Sequence, residues 1–197
     1  SNKLEQALLV CSEEISLDST HIALHQERIV SDIVLGHDCQ LVLDHYIVRD
    51  FESSMSVLDS IIVSVPNVSP LYHFLRAQVR TSQIEAQPMN ESEQRLRYLE
   101  ILQDLKYCAA SLPDFPYASY NWANTCMKLK DYGTAVDAYS EAIARDADMP
   151  EAYYNRGVAY ILLGKTEEGL ADLSRAGELG LYQAYNLIKK HSKNRGH

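Results

Sequence analysis

The 197-residue chain has no apolar run near the ~20 residues that a membrane-spanning helix needs, so no membrane span is expected. It is sparing with cysteine. Cys11, Cys39, Cys108 and Cys126 are widely spaced, with no C-x-x-C pair among them. They read as small buried hydrophobes, with a disulfide or metal role as the alternative. Positive charge is also short, 18 Lys and Arg against 27 Asp and Glu, for a net charge of −9. The deficit is uneven: residues 1–100 carry 7 basic and 15 acidic side chains, whereas residues 150–197 carry 7 and 5. An acidic body with a mildly basic tail (Lys189, Lys190, Lys193, Arg195) argues against nucleic acid as the main ligand. The tail reads as a solvated helix end, where cations suit the helix dipole. The chain opens on Ser1-Asn2 and reads as a fragment or processed product, so a targeting signal would not be visible and the compartment is left open.

Signatures of catalysis are equally thin. Gly164-Lys165-Thr166 imitates the end of a phosphate-binding loop, but the glycine required five residues earlier is Ala159. His21 and His25 stand at i, i+4 and could face one metal, yet Ile22 replaces the glutamate of a metalloprotease motif and no third ligand is evident. They read as half-buried helix histidines. Glu13-Glu14 reads as a solvated charge pair, and no serine or cysteine sits in a nucleophile turn. No cofactor and no enzymatic activity are expected.

What the sequence does have is a period. Pro150-Glu-Ala-Tyr-Tyr-Asn-Arg-Gly157 lines up, 34 residues earlier, with Pro116-Tyr-Ala-Ser-Tyr-Asn-Trp-Ala123. The register continues without a gap: Tyr160 over Cys126, Gly169 over Ala135, Leu173 over Tyr139, Ala176 over Ala142. Two helices of about thirteen residues joined by a tight turn fit this length, with Gly164 and Asp131 in the turns. Glycine inside a helix costs ~1 kcal/mol against alanine, so Gly157 and Gly169 need a geometric reason. Small residues at these places, matched by Ala123 and Ala135, let the two helices of a unit cross closely. Tyr153, Tyr160, Leu173, Trp122 and Tyr139 fill the space beside them.

Degraded copies extend upstream. Tyr98, Ile101, Leu105, Cys108 and Pro113 keep the second-helix spacing, with a first helix from Pro70 to about Ser82. Pro116 follows Pro70 by 46 residues, so this unit carries 12 extra, placed in "IEAQPMNESEQRL" between its helices. There Pro88 breaks one helix and Asn90 with Glu93 makes a capping box for the next, with residues 84–93 expected as a mobile bridge. Phe51, Ser54, Leu58, Ile61 and Pro66 repeat the spacing once more, behind a first helix at 37–49. Val42 stands where that helix should be small, so a close crossing is doubtful there. Residues 181–192 form an amphipathic cap with Tyr182, Tyr185 and Ile188 on one face, and residues 19–33 read as a helix at the other end. Residues 3–16 are ambiguous between helix and strand. The organisation is then 1–34 as an N-terminal segment and helix, a degenerate unit at 35–69, a unit with insertion at 70–115, units at 116–149 and 150–183, and a cap and tail at 184–197.

This pattern resembles the tetratricopeptide repeat (TPR), whose first helix carries large-x2-Leu-Gly-x2-Tyr and whose second carries Ala-x3-Phe-x2-Ala. The usual closing proline is replaced by Ala147 and Leu181. The resemblance implies an all-α fold, a right-handed α-α superhelix (TPR solenoid) with a C-terminal capping helix. The ending "YYNRGVAYILLGKTEEGLADLSRAGELGLYQAYNLIKK", with "FPYASYNWANTCMKLKDY", "HIALHQERIVSDI" and "VRDFESSM", is similar to the C-terminal region of large TPR proteins of Bacteroidetes bacteria. That likeness implies further repeats in an intact protein and a place in the cell envelope or periplasm, with the cytoplasm as the alternative. The function it implies is a non-enzymatic scaffold that binds a protein or peptide. The alternative is a self-associating array that spaces other domains. Positions two, five, nine and twelve of each first helix are implied to face a concave groove. They are Leu71, Phe74, Gln78, Thr81, then Tyr117, Tyr120, Asn124, Met127, then Glu151, Tyr154, Val158, Ile161. The stripe Phe74, Tyr120, Tyr154 suits apolar peptide anchors, unless the protein itself covers it. A subclass of the family grips a C-terminal carboxylate with lysines and asparagines. Asn124 and Asn155 hold the two asparagine positions, but tyrosines, Tyr120 and Tyr185, replace two of the lysines, leaving only Lys189 roughly placed.

Overall fold

The computed structural model describes residues 37–194, and every regular element among them is an α-helix. The expected helix at 19–33, the ambiguous segment 3–16, the His21/His25 pair and Cys11 lie outside the described residues. The chain divides into two compact units, residues 1–111 and 112–197.

In the first unit α1 (His37–Ile47) and α2 (Phe51–Ser64) form one hairpin, α3 (Pro70–Ala86) and α4 (Glu91–Ser111) the next. Arg49 takes a left-handed φ of 61° in the first turn, and Asp50 then caps α2 by accepting from the Ser53 amide at 3.1 Å. The doubtful crossing is in fact close. Val42 and Ser54 are both fully buried, and the Ser54 hydroxyl reaches the Val42 carbonyl oxygen at 3.2 Å. The facing helix supplies the small residue that Val42 does not.

The 12 extra residues of the next hairpin lengthen its helices. The α3 helix continues past Ser82 to Ala86, burying Ile84, and α4 runs for 21 residues. Only residues 87–90 connect them, which corrects the expectation of a mobile bridge over 84–93. Ile84, Glu85 and Ala86 continue the helix, and Pro88 stands just beyond its end. The capping box is present: the Glu93 amide donates to Asn90 Oδ1 at 2.9 Å, and the Asn90 amide to Glu93 Oε2 at 3.2 Å.

The second unit holds α5 (Pro116–Lys128), α6 (Tyr132–Arg145), α7 (Pro150–Leu162), α8 (Thr166–Glu178) and α9 (Gln183–Asn194). Proline opens α3, α5 and α7, where its missing amide costs nothing. The turns after α5 and α7 repeat the one after α1. Lys130 (φ 61°) and Gly164 (φ 79°) are left-handed, and the following amides of Asp131 and Lys165 return to the Cys126 and Tyr160 carbonyls at 2.9 Å. A Cβ on Gly157 would lie 2.8 Å from the Gly169 carbonyl oxygen, and one on Gly169 2.7 Å from that of Gly157. The backbones of α7 and α8 therefore touch there, as Ala123 and Ala135, both fully buried, suggest for α5 and α6.

Arginine pins the hairpins. Arg156 makes a bidentate pair with Asp172 of α8 (2.7 and 2.8 Å) and reaches back to Ser140 of α6 at 3.0 Å. At the equivalent position of the first unit, Arg76 joins Asp104 of α4 (2.9 and 2.6 Å) and Asp59 of α2 at 2.6 Å. One residue thus ties both helices of its own hairpin to the second helix of the preceding one. Tyr153 and Tyr160, expected as packing wedges, flank the Arg156 guanidinium at 5.5 and 5.9 Å. Both remain half-buried, whereas Tyr139 and Leu173 are the large residues that are wholly buried. Cys108 and Cys126 are both buried, in line with the reading of cysteine as a small hydrophobe.

The terminal helix packs through Ala184, Leu187 and Ile188, with Leu181 just before it, against Leu173 and Ala176. Tyr182 was expected on that face. It precedes the helix and is 74% exposed, because Gly180 (φ 103°) turns the chain between α8 and α9.

Candidate functional site

The implied groove residues fare differently in the two units. In the first, Leu71, Phe74 and Gln78 are all buried, Phe74 completely. The expectation that Phe74 lines an open groove is not met: it is core. In the second unit Tyr117, Tyr120, Asn124, Met127, Tyr154, Val158 and Ile161 are each half-buried, and Glu151 is exposed.

Hydrogen bonds bring α5 and α7 together on this face. Asn155 Nδ2 donates to the Tyr120 hydroxyl at 3.1 Å and to Asn124 Oδ1 at 3.2 Å. The Tyr139 hydroxyl, from α6, donates to the same Asn124 oxygen at 2.6 Å. The rings of Tyr120 and Tyr139 meet at a centroid distance of 5.9 Å, tilted by 56°. Both phenols titrate above their ordinary value. Burial is the main cause for Tyr120, with hydrogen bonding to Asn124 opposing it, the Glu151 carboxylate reinforcing it and Asn155 opposing it again. Burial likewise dominates at Tyr139. These groups stay neutral across the physiological range, so apart from the exposed Glu151 the face presents hydroxyls, amides and rings.

Tyr154 and Ile161 lie at the same implied face but also pack against the cluster of Leu173, Ala176 and Ala184, beside Leu187 and Ile188 of the terminal helix. Part of the stripe is therefore covered by the protein. Tyr117 leans on Phe115, centroids 5.4 Å apart.

The sequence reading missed two arrangements. It placed Tyr139 in the core and Asn124 and Asn155 on a face, without seeing that they join. The signal was available: asparagines at positions nine and six of successive first helices, with a tyrosine at position five. It also missed the cluster on Asp104, where His73 (2.9 Å), Arg76 and Arg80 (2.5 Å) converge on one carboxylate that is only 3% exposed. Burial acts to raise the Asp104 pKa. Hydrogen bonds from His73 and Arg76, with the charges of Arg76 and Arg80, outweigh it and hold the carboxyl below its ordinary range. The i, i+3, i+7 spacing of His73, Arg76 and Arg80 on α3 announces such a stripe. Four hydrogen bonds from these side chains converge on the Asp104 carboxylate, which marks the cluster as structural. Among the described residues no group of three or more His, Cys, Asp or Glu could hold a metal, and no helix is long and apolar enough to cross a membrane.

Comparison with known families agrees with these hairpins. The family described as TPR repeat matches residues 123–164, and the family described as Tetratricopeptide repeat matches residues 150–179. The chain carries tetratricopeptide repeats over this stretch. Two curated relatives align over 56 residues, 28% of this chain. The Small glutamine-rich tetratricopeptide repeat-containing protein 2 of Mycosarcoma maydis is 32% identical there, and the Hsp70-Hsp90 organizing protein 2 of Arabidopsis thaliana is 43% identical. The chain spans only 16% and 10% of their respective lengths. Among solved structures, a crystal structure of MamA superposes with a TM-score of 0.69 at 15% identity, over 79% of this chain and 85% of that one. The first TPR of Spaghetti (RPAP3), bound to the HSP90 peptide SRMEEVD, superposes with a TM-score of 0.51 at 24% identity, over 62% and 95%. At these identities the superpositions establish the fold, an all-α array of helical hairpins.

Proposed function

We propose that this protein is a non-enzymatic interaction scaffold that binds a peptide segment of a partner protein on the face formed by α5 and α7. Tyr117, Tyr120, Asn124, Met127, Tyr154, Val158 and Ile161 line it, with Phe74 left to the core of the first unit. The observation that carries the reading is the half-buried state of these aromatic and apolar side chains around a fixed polar network. Rigid amphipathic rings at partial burial suit a segment that completes their desolvation. The peptide-bound structural neighbour and the organizing-protein relative support the same class of function. The likeness to Bacteroidetes repeat proteins extends the proposal to a bacterial parent protein of more repeats.

Random dodecapeptides displayed on phage and panned against the whole chain test the proposal. Enriched clones are expected whose capture is lost on Val158→Glu while far-UV circular dichroism and melting are retained. Absence of any enriched clone, or clones indifferent to Val158→Glu, refutes it. A self-associating array is the second reading, favoured by the exposed Leu162, Leu163, Tyr182 and Tyr185 of the last repeat and terminal helix. It requires a light-scattering mass that rises with concentration.

A further inference from the structure

We infer that the face formed by α5 and α7 selects a peptide segment carrying a Lys or Arg side chain between apolar ones, and rejects a carboxylate, with Glu151 as the residue that sets this preference. The inference rests on the peptide-binding reading and adds the chemistry of the occupant.

Part of the polar capacity of the face is already committed within it. Asn155 Nδ2 serves two acceptors, Tyr120 and Asn124, and the Asn124 oxygen receives both Asn155 and Tyr139. No lysine or arginine stands at the positions implied to line the face, which are Tyr117, Tyr120, Asn124, Met127, Glu151, Tyr154, Val158 and Ile161. A carboxylate brought here would lose water and find no counter-charge, and a buried unpaired charge is the costliest group to desolvate. A cation meets the opposite situation. Half-buried tyrosines stand on both helices, and aromatic rings attract ammonium and guanidinium groups. Glu151 is exposed in the first turn of α7, and its carboxylate acts on Tyr120. It is the one formal charge among these eight positions, and it is negative. Arg156 shows the same chemistry within the fold: its guanidinium sits between Tyr153 and Tyr160 and pairs with a carboxylate.

Sequencing the clones from the panning described above tests the inference separately from the reading it rests on. The ratio of Lys and Arg to Asp and Glu in clones captured by the wild-type chain should exceed that of the unselected library roughly three-fold. The excess should disappear when the same library is panned on Glu151→Gln, an exposed position whose substitution leaves the network in place. The strongest clone, made as a C-terminally amidated fluorescent peptide, should lose affinity when its central Arg or Lys becomes Glu. Enrichment of acidic clones, or an Arg-to-Glu peptide that binds as tightly, overturns the inference while leaving the peptide-binding reading intact. Failure of any clone to enrich removes both.

Discussion

Replacing Asp104 with asparagine keeps the shape of the side chain and removes its charge. In the native chain this carboxylate receives His73, both sides of Arg76, and Arg80, and it is 3% exposed. Asparagine leaves two guanidinium groups, themselves 17% and 13% exposed, facing an amide whose NH2 cannot accept from them. Breaking a buried ion pair from one side costs about 3–5 kcal/mol. Asp59 and Glu100 remain beside Arg76 and Arg80 at 2.6 and 3.6 Å, which places the loss toward about 3 kcal/mol. Against a total stability of about 5–15 kcal/mol that is a large fraction. Urea denaturation followed by far-UV circular dichroism reads it as a midpoint lowered by about 1–3 M, for slopes of about 1–3 kcal/mol/M. Asp172→Asn is the internal comparison: it faces a single arginine and is 11% exposed, so its loss should be smaller. A midpoint for Asp104→Asn equal to wild type, or a loss no greater than that of Asp172→Asn, refutes the reasoning. The acid limb gives a second readout. The Asp104 carboxyl titrates below its unfolded value of about 3.9, so the native state binds fewer protons than the unfolded chain near that pH. Its stabilisation is fully present above the unfolded value and is lost as pH falls through the folded one. Asp104→Asn should therefore flatten the fall of stability below about pH 4.

Gly157→Ala should lower the melting temperature even though alanine is the better helix former, because its Cβ would meet the Gly169 carbonyl oxygen at 2.8 Å and Leu173 at 3.1 Å. The overpacking costs about 1–3 kcal/mol, and an unchanged or raised melting temperature contradicts the close crossing. Asn90→Ala removes half of the capping box at the start of α4 and should cost about 1 kcal/mol in urea denaturation, with no loss if the helix begins elsewhere. Tyr139→Phe deletes the hydroxyl that donates to Asn124 and should cost about 1 kcal/mol, read by calorimetry. No loss there would mean that the network contributes nothing to the fold.

The hairpins over residues 116–179 were legible because their period is carried by backbone requirements. Two of them, proline at the first position of a helix and a small residue where two helices touch, leave one-letter traces that survive side-chain drift. The left-handed turn is less visible, since Arg49 and Lys130 occupy it where glycine would have advertised it. At Val42 the reading failed because it asked one helix for a small residue, while contact is a property of the pair and Ser54 supplied it. The 12-residue insertion was seen, but a count of extra residues does not say whether they loop out or lengthen the helices. The burial of Ile84 and the capping box at Asn90 favoured lengthening.

The groove was harder to read because a position in a repeat does not fix exposure. Position five is tyrosine or phenylalanine in three units, and the same ring serves three purposes. Phe74 is wholly core, Tyr154 packs partly against the cluster of Leu173, Ala176 and Ala184, and Tyr120 is held by an asparagine from the next hairpin. The hydroxyl separates the cases: a ring bearing one needs a partner when it leaves water, so Tyr120 stays where Asn155 can reach it and Phe74 carries no such demand. The polar network then costs the face its freedom to accept an acid and leaves Glu151 as the only charge among the lining positions. The proposed preference for cations then has two sources, the polar groups that the fold has already spent and the one carboxylate, Glu151, left beside them.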